Sequence, residues 1–105
     1  MKTEDYTTEL IKSIEQAEFT KEMEIATIGT ISKFFEKYPY KDQKWYKPDH
    51  EFIIKQSALE TCKRLALNFN PERSNNAFAY MVQIIKSDFA KTYLQLVKEY
   101  QNGIN

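Results

Sequence analysis

The side chains able to do chemistry in this 105-residue chain are few and scattered. One histidine, His50, stands where a helix is expected to start, and a surface or capping role suits it better than catalysis. The single cysteine, Cys62, can form neither an internal disulfide nor a cysteine-based zinc site; its place on an apolar stripe reads as a small buried helix residue. Gly29 and Gly103 stand alone, so there is no glycine-rich loop to cradle a phosphate. The carboxylates are dispersed along helices as solvated charges, with no pair set apart for acid–base work. An active site needs a nucleophile with its base, a metal cluster or a phosphate loop. Without these the chain reads as a binding protein: not an enzyme, with no catalytic or metal-ligating residues and no cofactor.

Binding chemistry is better represented. Residues 39–48 interleave Tyr40, Trp45 and Tyr46 with Lys41, Lys44 and Lys47. Such a mixture can hold single-stranded nucleic acid, because bases stack on rings while lysines meet phosphates. The alternative, favoured here, is that Trp45 and Tyr46 fold back to cover the core. A second concentration is Leu67 to Ala90, LNFNPERSNNAFAYMVQIIKSDFA, which reads as a helix end, a polar turn and a helix opening on aromatics.

The elements that must position these residues are helical. With two glycines and three prolines the chain is nearly free of helix breakers, and its apolar residues recur at three and four. The fold class expected is all-α, a single compact domain of about four helices. At 42% hydrophobic and 29% charged the composition is that of a soluble globular protein, and no apolar run approaches the roughly 20 residues of a membrane helix. The acidic, polar start lacks the pattern of a signal peptide, so a cytoplasmic location is expected. Net charge is zero, which argues against coating nucleic acid by electrostatics alone, but Glu4, Asp5, Glu9, Glu15, Glu18, Glu22 and Glu24 make the first 24 residues acidic and leave the rest net basic.

Four parts follow. Residues 1–20 hold an acidic N-terminal helix (about 4–17) that presents Tyr6, Leu10, Ile11 and Ile14 on one side. Residues 21–48 hold a second helix (about 21–38) and the aromatic-basic loop; Thr20 is its expected N-cap, Pro39 its terminator, and Ile25, Ile28, Ile31, Phe34 and Phe35 its apolar side. Residues 49–69 hold a third helix with Asp49 as N-cap and a buried stripe of Phe52, Ile54, Ala58, Cys62, Leu65, Ala66 and Phe69. Residues 70–102 hold the polar turn, with Ser74, Asn75 or Asn76 as the new cap, and the longest helix. Its core stripe is Phe78, Val82, Ile85, Phe89, Thr92, Leu96 and Tyr100; its far side carries Tyr80, Gln83, Ile84, Ser87, Lys91, Leu94 and Lys98. Gly103 lies just beyond its expected end.

At 100° per residue the outer side of the third helix gathers Ile53, Gln56, Glu60, Lys63, Arg64 and Leu67, two aliphatics among polar residues. Scattered exposed aliphatics need no partner, yet such a face also suits docking on another helix pair.

The third helix, its turn and the fourth helix resemble the core-binding module of bacterial sigma factors, region 2. Primary sigma factors have a helix, a phenylalanine, a short charged turn and a helix opening on aromatics; here these are Gln56 to Leu67, Phe69, Asn70-Pro71-Glu72-Arg73 and Asn76-Ala77-Phe78-Ala79-Tyr80. The version carried by late-transcription sigma factors of large tailed phages is more similar still, matched by Asn68, Phe69, Glu72, Asn76, Ala79, Tyr80 and Gln83. A fainter match continues upstream through Glu9-Leu10-Ile11, the helix from Ile25 to Phe35, and Trp45. The resemblance implies docking of Ile53, Gln56, Glu60, Lys63, Arg64 and Leu67 on the β′ clamp helices of the core RNA polymerase. It also implies contact of Asn76, Tyr80, Gln83 and Lys91 with the non-template strand of promoter DNA, where Tyr80 stacks on a flipped base for about 1–3 kcal/mol. A phage-encoded chain of this kind acts in the cytoplasm of the bacterial host.

Two departures qualify the resemblance. Gln83 and Ile84 stand where primary sigma factors place two tryptophans, as in the late phage type. After Phe89 the family's run of arginine and lysine is reduced to Lys91 and Lys98, and phosphate contacts dominate the affinity of DNA binders, so free promoter binding is expected to be weak. Within these 105 residues neither a second module for a −35 element nor an apolar-acidic tail for a sliding clamp is expected. The expected function is a sigma-like initiation factor that binds core polymerase and helps open a −10-type element. The alternatives are a sigma mimic that occupies polymerase without reading a promoter, and a helical interaction module or homo-oligomer.

Overall fold

The computed structural model describes residues 3–16, 19–38, 40–73 and 76–104. Four helices follow one another, α1 (Thr3–Gln16), α2 (Lys21–Lys37), α3 (His50–Ala66) and α4 (Ala77–Ile104), with a 3-10 turn at Tyr40–Asp42 between α2 and α3. The chain is a single all-α domain with no strand among the described residues. Its 28 residues make α4 about 42 Å long, which sets the long axis of a molecule measuring 50 × 22 × 21 Å. α3 lies along α4, α2 along α3, and α1 closes the bundle against α2 and α4. No described helix is long and apolar enough to cross a membrane.

Short polar residues set the helix starts. Thr20 caps α2 by accepting the Met23 N–H at 3.2 Å, while its own N–H donates to Ser13 Oγ at 3.2 Å and ties the two helices together at their link. Of the three expected caps of α4, Asn76 accepts the Ala79 N–H at 3.0 Å; Ser74 and Asn75 lie outside the described residues, as do Pro39 and Ala17. Thr7 of α1 accepts the Ala77 N–H at 3.1 Å, so a second free amide at the start of α4 is satisfied from another helix. Asp49 precedes α3 but makes no side-chain cap bond, because its backbone is already in the helical region at φ −75° and ψ −12°. Gly103 lies inside α4 and does not end it.

The core is built from Leu10, Met23, Ile31, Ile54, Met81, Ile85 and Phe89, all fully buried, with Cys62 among them. Several expected core residues are exposed instead. α2 buries Met23, Thr27, Ile31 and Phe35, a line of i,i+4 steps that leaves Ile25 62% and Ile28 45% exposed outside it. Phe52 is 70% exposed, since two residues before Ile54 means 200° around α3. Tyr100 is exposed at the rim of a groove that it shares with Trp45, His50 and Leu96. Conversely Ile84, expected on the far side, is buried: α4 packs against both α1 and α3, so its buried arc is wider than one stripe. Asp88 is buried too, and is not one of the solvated carboxylates.

The aromatic-basic loop covers the core. Tyr40 and Trp45 are buried, Tyr40 stacked on Tyr38 at 5.4 Å and Trp45 edge-on to Tyr93 at 5.4 Å. His50 stacks on Trp45 at 5.8 Å and accepts the Lys47 N–H through Nδ1 at 3.1 Å. Lys41, Lys44 and Lys47 remain exposed while Tyr40 and Trp45 turn inward; Tyr46, expected to cover the core with Trp45, is only half-buried against it. Burial pushes the Tyr40 phenol up to about 12.

Candidate functional site

Two rows of side chains on adjacent helices make up the candidate site. On α3, Ile53, Gln56, Glu60, Lys63 and Arg64 are exposed and Leu67, just past the helix end, is half-buried, so the row derived from helical periodicity does face solvent. The opposite side of α3 holds it in place. Ser57 and Thr61 donate to the Asp88 carboxylate of α4 at 2.8 and 2.6 Å, and Ala58, Cys62 and Ala66 are small enough to let the two helices approach.

The α3 row is partly ordered by its own charges. Gln56 Nε2 donates to Glu60 Oε1 at 3.4 Å, one turn along the helix. Lys63 Nζ reaches across to Glu24 of α2 at 3.1 Å, an exposed pair worth well under about 1 kcal/mol that still sets the direction of the lysine. One turn further along α2, Ile28 flanks a small groove of about 140 Å³ shared with Gln56 and Leu59. The α3 face therefore continues onto α2 through an exposed isoleucine that sequence reasoning placed in the core. The available signal was its i,i+4 spacing from Glu24, which puts it on the flank.

On α4, Asn76, Tyr80, Gln83 and Lys91 fall within one narrow arc spanning about 22 Å along the helix. Gln83 and Lys91 are exposed. Asn76 is exposed but its side chain serves as the helix cap. Tyr80 is half-buried: its ring packs on Phe69 at 5.4 Å and its hydroxyl donates to the Leu65 carbonyl at 2.8 Å. That carbonyl lies in the last turn of α3 and also accepts the Asn68 N–H at 3.1 Å, so Tyr80 adds a bond that fastens the start of α4 to the end of α3. Desolvation raises the phenol above its ordinary value. Tyr80 thus joins the two rows structurally, while base stacking as implied by the resemblance requires its ring to be reached from the side not packed on Phe69.

No group of three or more His, Cys, Asp or Glu that could hold a metal ion occurs among the described residues. Comparisons with protein-family models, curated proteins and solved structures give no match.

Proposed function

We propose that this chain is a sigma-like transcription initiation factor, docking on core RNA polymerase through the outer face of α3 and turning the start of α4 toward the non-template strand of a −10-type element. The observation that carries the reading is the exposed row of Ile53, Gln56, Glu60, Lys63 and Arg64, widened by Ile28 and lying next to Asn76, Tyr80 and Gln83 through the Tyr80–Leu65 hydrogen bond. A polar row of Gln56, Glu60, Lys63 and Arg64 with Ile53 at one end and Ile28 beside it offers a paired-helix partner such as the β′ clamp helices both charged and aliphatic contacts. Two charged or amide side chains at such a contact are worth about 1–2 kcal/mol each when truncated. Gln56→Ala combined with Glu60→Ala is therefore expected to weaken binding to purified core polymerase by about tenfold or more. Unchanged binding, or none by the parent protein, overturns the proposal.

A second reading rests on the engaged Tyr80 and on the two lysines that follow Phe89. With the Tyr80 hydroxyl tied to Leu65 and only Lys91 and Lys98 after Phe89 to grip phosphates, the chain would occupy polymerase without reading a promoter. Run-off transcription separates the two: an initiation factor supports specific transcripts, whereas an occluding regulator lowers those made with another sigma factor and yields none itself.

A further inference from the structure

α2 has two distinct flanks. One meets α3, through the Glu24–Lys63 pair at 3.1 Å and Lys55 poised 5.1 Å over the Phe35 ring. The other, roughly 160° around the helix, lines an open groove of about 690 Å³ whose opposite wall is Tyr6 of α1 and Phe78 of α4. Its α2 wall is Ile25, Ala26, Gly29 and Phe34, with Ile25 and Gly29 exposed. The two ends differ in charge. Glu22 stands at one, while Lys33 and Lys37 stand at the other, joined by Lys86 reaching over from α4. The Lys37 and Lys86 ammoniums sit 5.2 and 5.7 Å from the centre of the Phe34 ring. Among the described residues no ion pair engages Lys33, Lys37 or Lys86, whereas Lys12, Lys41, Lys55 and Lys63 each have a carboxylate.

We propose that this groove seats an acidic amphipathic helix of a partner protein. An apolar trough bordered by unpaired lysines complements a helix with one aliphatic face and carboxylates beside it. From Glu22 to Lys37 the trough is about 22 Å long, the length of about four helical turns. At Gly29 an added Cβ would meet nothing within 4 Å, so the backbone there is open to close approach by another helix. A nucleic acid strand is a poorer occupant. The Phe34 ring already carries two ammoniums, Phe78 is engaged edge-on with Tyr6 at 5.8 Å, and Glu22 would repel phosphate. A second copy of this chain would have to offer its acidic α1, whose Tyr6 and Leu10 are already buried in its own core.

The test uses fluorescence anisotropy with a labelled helical peptide of about 16 residues, leucine along one face and glutamate elsewhere. Its controls are the same peptide with lysine for glutamate and a single-stranded oligothymidylate. The acidic peptide is expected to bind with a Kd of micromolar order, and at least about tenfold more weakly to Lys33→Glu combined with Lys37→Glu. Gly29→Leu is expected to abolish binding by filling the trough, while Gln56→Ala on the other flank leaves it unchanged. Leucine is a better helix former than glycine and enters open space, so that variant keeps its fold, which its melting temperature checks. The proposal is overturned by a Kd weaker than about 1 mM, by equal affinity for the lysine peptide, or by indifference to both groove variants. It is equally overturned if Gly29→Leu abolishes tighter binding of the oligothymidylate, or abolishes self-association in sedimentation.

Discussion

Asp88 joins α3 to α4 through both oxygens of its carboxylate. It is buried, its two oxygens accept the Ser57 and Thr61 hydroxyls at 2.8 and 2.6 Å, and Thr92 donates on to Ser57 at 3.3 Å. Asp88→Ala would leave two half-buried donors without their acceptor, so unfolding stability should fall by about 3 kcal/mol, read as the shift of a urea denaturation midpoint. Asp88→Asn keeps one oxygen acceptor and should lose about half as much. Cys62 lies in the same layer. Desolvation, helped by the Asp88 charge, pushes its thiol up to about 12, and the native thiol should resist a thiol reagent until the bundle opens. Asp88 could have been found from sequence: it lies three residues after Ile85 and four before Thr92, on the arc of α4 that meets α3.

The helices were legible from apolar spacing alone, and the Thr20 and Asn76 caps from residue type. The rotation of α2 was not. Ile25, Ile28, Ile31 and Phe35 make an acceptable stripe on paper, but the helix is turned so that Met23 and Thr27 go inward, because Thr27 meets the Tyr6 hydroxyl at 3.0 Å beneath the core. One consequence is that Gly29 faces water in mid-helix with no contact to lose. Gly29→Ala should therefore raise stability by about 0.5–1 kcal/mol, seen as a higher melting temperature with an unchanged circular dichroism spectrum. A loss of stability would mean that Gly29 is packed or strained, contrary to the open surface.

Several buried acids hold their protons tightly across the molecule. Desolvation raises the phenols of Tyr6 and Tyr40 above their ordinary 10.0 and the Cys62 thiol above its ordinary 9.0. In the unfolded chain these groups ionise at their ordinary values, so above about pH 9 the unfolded state holds fewer protons than the folded one, and stability declines as pH rises toward 12. Denaturation midpoints should stay level between about pH 7 and about pH 8.5 and fall steadily above that range. Cys62→Ala should make the onset of that fall less steep. A midpoint that rises with alkalinity would contradict the burial of these groups.

Periodicity and punctuation were enough to derive four helices and the solvent side of α3, because each depends on neighbours within one or two turns; the inward turn of Trp45, the favoured of two readings, is decided by contacts such as that with Tyr93 of α4. Packing between helices had to decide the rest. Whether Ile28 joins the α3 face, whether Tyr80 is open or bonded to Leu65, and whether Asp88 is solvated or buried all depend on how two helices are rotated against each other. That rotation results from matching the whole surfaces of α2, α3 and α4, and a stripe of apolar residues is wide enough to permit several. A one-residue error in it turns a helix by 100° and exchanges core for surface, as Ile25 and Phe52 demonstrate.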